Sequence, residues 1–161
     1  MEVIISATIL LPMVLLLFIP TTASSVQTKG PRERLLAARS IRCQMTAGTE
    51  TEWNSDKPKV SEKTWEFGTV TYDSIKHQAG TDAGTARMIN SIAARDVQVK
   101  VTGAGITFMD DYLNGGLDIT TVFANYDSLN RFIAVASRHL VRGLNGPPSP
   151  EQYHGTCTIL Q

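Results

Sequence analysis

The sequence predicts an all-β fold, an antiparallel meander of about eight strands in which a small closed barrel is favoured over a sandwich. Three observations carry this. Apolar and polar residues alternate along short stretches, most clearly where Val97, Val99 and Val101 interleave with Gln98, Lys100 and Thr102. Turn-forming clusters separate those stretches at Gly80 to Gly84, Gly103 to Gly105, Asn114 to Gly116 and Asn125 to Asp127. The two cysteines of the chain, Cys43 and Cys157, fall on the apolar faces of the first and last stretches, where a bond between them would join the ends of a barrel.

From the N-terminus, Val3 to Pro20 is almost wholly apolar and is followed by the small residues Thr21, Thr22, Ala23 and Ser24. This pattern reads as a signal peptide over residues 1–23, with Ala23 before the cut. The usual basic n-region is missing, since Glu2 precedes the apolar run while Lys29, Arg32, Arg34, Arg39 and Arg42 follow it. An uncleaved helix would therefore place the domain in the cytoplasm. The run of about 17 residues only just reaches spanning length, and Pro12 weakens it as a helix. The expected location is secreted or periplasmic, with a membrane-anchored protein as the alternative, and a membrane enters only if the segment stays uncleaved. Residues 24–40 read as a linker or a short basic helix, with Pro31 suited to the first turn.

Residues 41–161 form the expected single domain. Ile41, Cys43 and Met45 alternate with Arg42, Gln44 and Thr46 as the first strand. Further strands are read at Thr64 to Tyr72, Arg87 to Ala93, Val97 to Thr102, Gly105 to Met109, Leu117 to Ala124, Arg131 to Arg138 and Tyr153 to Leu160, all rich in β-branched and aromatic residues. Connections after Val97 are too short for the helical crossovers of a parallel sheet. One segment is ambiguous: Leu129, Phe132, Ile133, Ala136, Leu140 and Leu144 fit a helical stripe, whereas Val135 and Val141 break it. A strand is the better reading there. Closure is favoured because Cys157 shares a face with Tyr153 and Ile159, and a barrel leaves no exposed edge. A disulfide Cys43–Cys157 requires neighbouring strands, with Cα atoms about 4.4 to 6.8 Å apart.

Composition narrows function mainly by exclusion. Fifteen basic residues balance fifteen acidic ones, so no net field draws the chain to nucleic acid. The cysteines lie far apart without CxxC or metal-type spacing, which suits a structural disulfide in an extracytoplasmic protein. Ser137, Arg138 and His139, with the acidic pair Asp110 and Asp111, supply the residue types of a nucleophile, base and orienting carboxylate. No GxSxG elbow surrounds Ser137, so no catalytic residue is assigned. His77, His139 and His154 lie on separate segments without HxH or HExxH spacing, so neither a metal nor another cofactor is expected. The rings of Trp53, Trp65, Phe67, Tyr72, Phe108, Phe123, Phe132 and Tyr153 either fill the barrel or line a pocket for a small apolar ligand. Trp53 lies in the polar stretch Glu50 to Lys59, where it is exposed to a partner or folded back as a lid.

The stretches Ile106 to Phe108, Thr120 to Phe123, Ala134 to His139 and Pro148 to Cys157 resemble a group of short, uncharacterised secreted bacterial proteins. These carry a comparable Ser-Arg-His segment and a proline-rich Gln-Tyr-x-Gly-x-Cys ending, from which Pro150 and Glu151 depart slightly. The resemblance implies export and a structural Cys157, and no activity. The expected function is a noncatalytic extracytoplasmic binding or interaction module, for a small apolar ligand or a protein. The alternative is a small hydrolase using Ser137 and His139 with Asp110 or Asp111.

Overall fold

A computed structural model describes residues 29–54, 57–66, 68–78, 81–112, 115–141 and 146–161. The leader read at 1–23 lies outside the described residues, as do Phe67, Gly80, Asn114 and Leu144. Among those described, the order is α1 (Pro31–Ala37), β1 (Ile41–Asn54), β2 (Lys57–Lys63), β3 (Thr69–His77), β4 (Ala83–Ile89), β5 (Ala94–Val101), β6 (Gly105–Asp111), β7 (Leu117–Tyr126), β8 (Phe132–Val141) and β9 (Pro148–Ile159). Strands β3 to β9 form an antiparallel meander, and β1 pairs with both β3 and β9 to close it. The molecule is therefore an eight-stranded closed barrel with one additional strand, β2.

Strand β1 is longer than its early alternation indicates because it pairs with two strands in succession along one edge. Its first residues, Ile41 to Gln44, pair with β3, while Gly48 to Asn54 pair on the same edge with β2. On the other edge Ile41 to Glu50 pair with β9 across a register shift between Met45 and Ala47. The sequence of β2, Lys-Pro-Lys-Val-Ser-Glu-Lys, is exposed over all but its last residue and shows no buried alternation, which is why it reads as a connection. Its lysines and Pro58 suit an edge strand, since both discourage further pairing.

Cys43 and Cys157 stand directly opposite one another in the β1–β9 ladder and form a disulfide within the buried core. Their Cα atoms are 4.0 Å apart, below the expected range. Two glycines let the same two strands approach elsewhere. A Cβ on Gly48 would overlap the ring of Tyr153, its partner across the ladder, and one on Gly155 would overlap the carbonyl oxygen of Gln44.

The turns use side chains to satisfy the backbone. Asn90 Oδ1 accepts hydrogen bonds from Ile92 and Ala93 N–H in the β4–β5 turn. Asp127 Oδ1 accepts from Leu129 and Arg131 N–H, while Asn130 takes the left-handed conformation (φ 58°) that its short polar side chain tolerates. That places a turn at 127–131 and leaves Leu129 exposed, so the segment read either way is strand β8, as favoured.

The two ends of the barrel differ. At the end where β1 begins and β9 finishes, α1 lies across the opening with Leu35 fully buried, and Arg39 and Ser40 N–H both donate to the carbonyl of Gln161. Pro31 opens this helix and the Glu33 carboxylate accepts from Gly30 N–H. Tyr126 and Phe132 pack with ring centroids 4.6 Å apart beneath it. The opposite end carries no such plug among the described residues.

Because the disulfide spans 114 residues, it removes much unfolded-state freedom. The double variant Cys43→Ala/Cys157→Ala is expected to lose about 2–4 kcal/mol of unfolding free energy while keeping its β-type circular dichroism. Urea melts measure this, and an unchanged midpoint would show that the bond contributes nothing.

Candidate functional site

The open end owes its character to inward-facing positions that change from apolar to polar along β6, β7, β8 and β9. On β6 the inward row runs Ile106, Phe108, Asp110; on β8 it runs Phe132, Ala134, Ala136, Arg138; on β9 Tyr153 is preceded by Glu151 and Ser149. Alternation thus carries charged side chains into the barrel, where they survive only by pairing with one another.

A pocket with a cavity volume of about 30 Å3 opens at this end. Its lining includes Tyr72 and Phe108, which reach across from β3 and β6 and stack with ring centroids 3.8 Å apart and planes 8° from parallel. Val70, Met88, Val97 and Ala136 supply apolar walls, and Trp65, Asn90 and Ile92 border the mouth. Burial raises the Tyr72 phenol well above its usual range, although a hydrogen bond with Thr120 acts against this. Tyr72 is thus a neutral wall of the pocket at any ordinary pH.

Two charged groups line its polar side. In the first, Arg138 Nε donates to both oxygens of Asp118 at 3.1 and 3.2 Å, and Tyr112 Oη donates to Asp118 Oδ2 at 2.6 Å. Burial and this bond push the Tyr112 phenol up to about 12. Arg138 also donates to Glu151 at 3.2 Å, which in turn accepts from Tyr153 Oη at 2.8 Å. Burial and the bond to Glu151 likewise raise Tyr153 to about 12. Lys63, from the end of β2, bridges Glu151 and Glu50, and Ser149 donates to Glu50 at 2.9 Å. Burial alone would lower the Lys63 ammonium, but its bonds to the two glutamates outweigh that and hold it raised.

The second group is Asp110 with Arg95. The carboxylate is 5 % exposed, and its Oδ2 lies 3.2 Å from Arg95 Nε. Neither atom makes a hydrogen bond, so the charges meet without an N–H aligned on the oxygen. Arg95 lies over the Tyr112 ring at 4.7 Å, a cation–π contact that directs the guanidinium toward the ring. Burial raises the Asp110 carboxyl above its ordinary value, the Arg95 charge opposes this, and Asp118 and Asp111 add to it.

The residues read as a nucleophile, base and carboxylate do not converge. Asp110 faces inward and is buried, whereas His139 is exposed on the outer face. Ser137 borders the pocket but occupies the outward alternation between inward Ala136 and Arg138. Asp111 is on the outer face in the same row as His139, with Leu117 between them, a gap of about 10 Å across two strand spacings. His77, His139 and His154 sit apart, and among the described residues no group of three or more His, Cys, Asp or Glu side chains is placed to hold a metal ion.

The aromatic set divides. Trp65, Tyr72 and Phe108 line the pocket, Tyr153 meets the edge of Trp65 at 4.8 Å, Phe132 packs under the helix, and Phe123 lies half-buried on the outer alternation. Trp53 is 43 % exposed opposite Pro58 on the β1–β2 hairpin. Arg95, Arg138, Tyr112 and Asp118 were not candidates from the sequence. The one signal that could have found them is a charge on the inward alternation of a strand, as at Arg138 and Asp110.

Asp110 yields a pH test. Its raised folded value means that the native state holds the proton more tightly than the unfolded chain, so its ionisation costs stability as pH rises from its ordinary 3.8. Asp110→Asn should match the wild type in stability at pH 3.5 and exceed it increasingly toward pH 7. Urea melts across that range measure the difference; a deficit for the variant at pH 7 would contradict the assignment. No protein-family model, curated protein or solved structure matches the chain.

Proposed function

We propose that this protein is a noncatalytic extracytoplasmic binding module that takes a small, largely apolar ligand in the open end of its barrel. The observation that supports this most is the pocket itself, with stacked aromatic rings and apolar walls, lying opposite an end covered by α1. Ligand sites are commonly of this kind, mostly apolar with a few fixed polar groups. An eight-stranded barrel has an interior just large enough for one small molecule when side chains do not fill it. Here the half under the helix is packed by Leu35, Ile41, Ile106, Val122 and Phe132, and the pocket lies among the side chains of the other half.

The Cys43–Cys157 disulfide is compatible with an oxidising, extracytoplasmic location. The apolar leader and the resemblance of Ile106 to Cys157 to short secreted bacterial proteins favour export. Intact-mass measurement of the protein from its native host is expected to show loss of residues 1–23 and two thiols that do not alkylate without reductant. A full-length chain with two free thiols would overturn the secreted reading.

Binding is tested with N-phenyl-1-naphthylamine, whose emission rises in apolar surroundings. Saturable enhancement with a micromolar dissociation constant is expected. Ala136→Met, which extends a side chain into the pocket, should weaken binding at least about tenfold, a change of 1.4 kcal/mol. An absence of saturable enhancement in the wild type would sink the small-ligand reading.

A further inference from the structure

Resting on that reading, we infer that the pocket selects neutral ring compounds bearing a hydroxyl or N–H group, which donates a hydrogen bond to the Asp110 carboxylate. The carboxylate is more than nine-tenths buried, lines the pocket, and its Oδ2 accepts no hydrogen bond within the described residues. Buried polar atoms left in that state are uncommon and costly, and a ligand donor is one way to satisfy them.

The other carboxylate of the pocket, Asp118, has hydrogen-bond partners already, as do Arg138 and Asn90. Asp118 accepts from Tyr112 and Arg138, and Arg138 also donates to Glu151. Asn90 spends its side-chain oxygen on the β4–β5 turn. A ligand that donates at Asp110 disturbs none of these bonds, whereas one that donates at Asp118 competes with Tyr112 and Arg138.

Neutrality follows from the charges. The pocket is lined by two cations, Arg95 and Arg138, and two anions, Asp110 and Asp118. A cationic ligand at Asp110 would sit beside the Arg95 guanidinium, which already lies 3.2 Å from the same oxygen. An anionic one would meet the carboxylates. A neutral donor avoids both repulsions, while the stacked Tyr72 and Phe108 rings and Trp65 give a flat apolar frame an aromatic surface to contact.

The test compares three probes by isothermal titration: 2-naphthol, 2-methoxynaphthalene, which lacks the donor, and 2-naphthylmethylammonium, which carries a charge. Wild-type protein at pH 7 is expected to bind 2-naphthol about tenfold tighter than either of the others. Asp110→Leu should reduce the preference over the methoxy compound to less than about threefold without weakening the latter. If that variant does not fold, Asp110→Asn, a neutral acceptor in the same place, should cut the preference several-fold. Equal binding of naphthol and its methyl ether, or tighter binding of the ammonium probe, overturns the inference and leaves the pocket reading standing. Failure of all three to bind overturns both.

Discussion

Closure of the barrel along β1 and β9 is the constraint on which the rest of the structure depends. In an open sheet β1 and β9 would each expose a row of unpaired backbone groups, and the interior would be one face of a sheet without a cover. The seam is held in two different ways at its two ends. Toward α1 it is apolar and covalent, through Cys43 and Cys157 in the core. Toward the mouth it is ionic, through Lys63 between Glu50 of β1 and Glu151 of β9. The glycines at 48 and 155 let the backbones and the Tyr153 ring come close between these two anchors.

That division of the seam continues around the barrel. The helix-covered half is closed by aliphatic and aromatic packing, which needs no charges. The mouth half contains carboxylates and guanidinium groups on inward positions, and desolvation there makes pairing compulsory. Strand β2 explains how the arrangement is completed. It adds little apolar area, yet it delivers Lys63 to two carboxylates that otherwise face each other's charge across the seam. A polar, exposed hairpin strand thereby acts on the interior through its last residue.

The architecture was legible because the inward rows of β1, β5 and β9 are plainly periodic and the turns carry their own chemistry. The cysteines added the long-range step that local patterns lack, since they mark which strands meet at closure. Strand β2 was not legible: its pairing depends on β1 running past β3, and no property of Lys57 to Lys63 records that. Boundaries near Gly84 and Arg87 shifted for a related reason, since Ala83 and Gly84 pair with Lys100 and Val99 and so extend β4 toward the turn. The pocket was only half legible. Its aromatic floor came from the ring-bearing residues, but Ser137 and His139 drew attention to a run in which the inward residue is Arg138. Chemistry-bearing residue types adjacent in sequence alternate to opposite faces of a strand, so nearness along the chain counts against convergence here.

The polar side of the pocket is rigid for the same reason that it is stable. Each shared carboxylate fixes two or more donors from different strands: Glu151 joins β2, β8 and β9, while Asp118 joins β8 to the Tyr112 side chain just beyond β6. Moving one member would leave several buried charges short of partners, which makes displacement far costlier than bending an exposed loop. Such a wall does not reorganise around a ligand; it presents a fixed surface with little ordering cost on binding. The Asp110–Arg95 contact differs because its charges meet without an aligned hydrogen bond. On the proposed reading, selectivity would concentrate at this less satisfied pair, which sits beside the stacked aromatic rings rather than at the ionic seam.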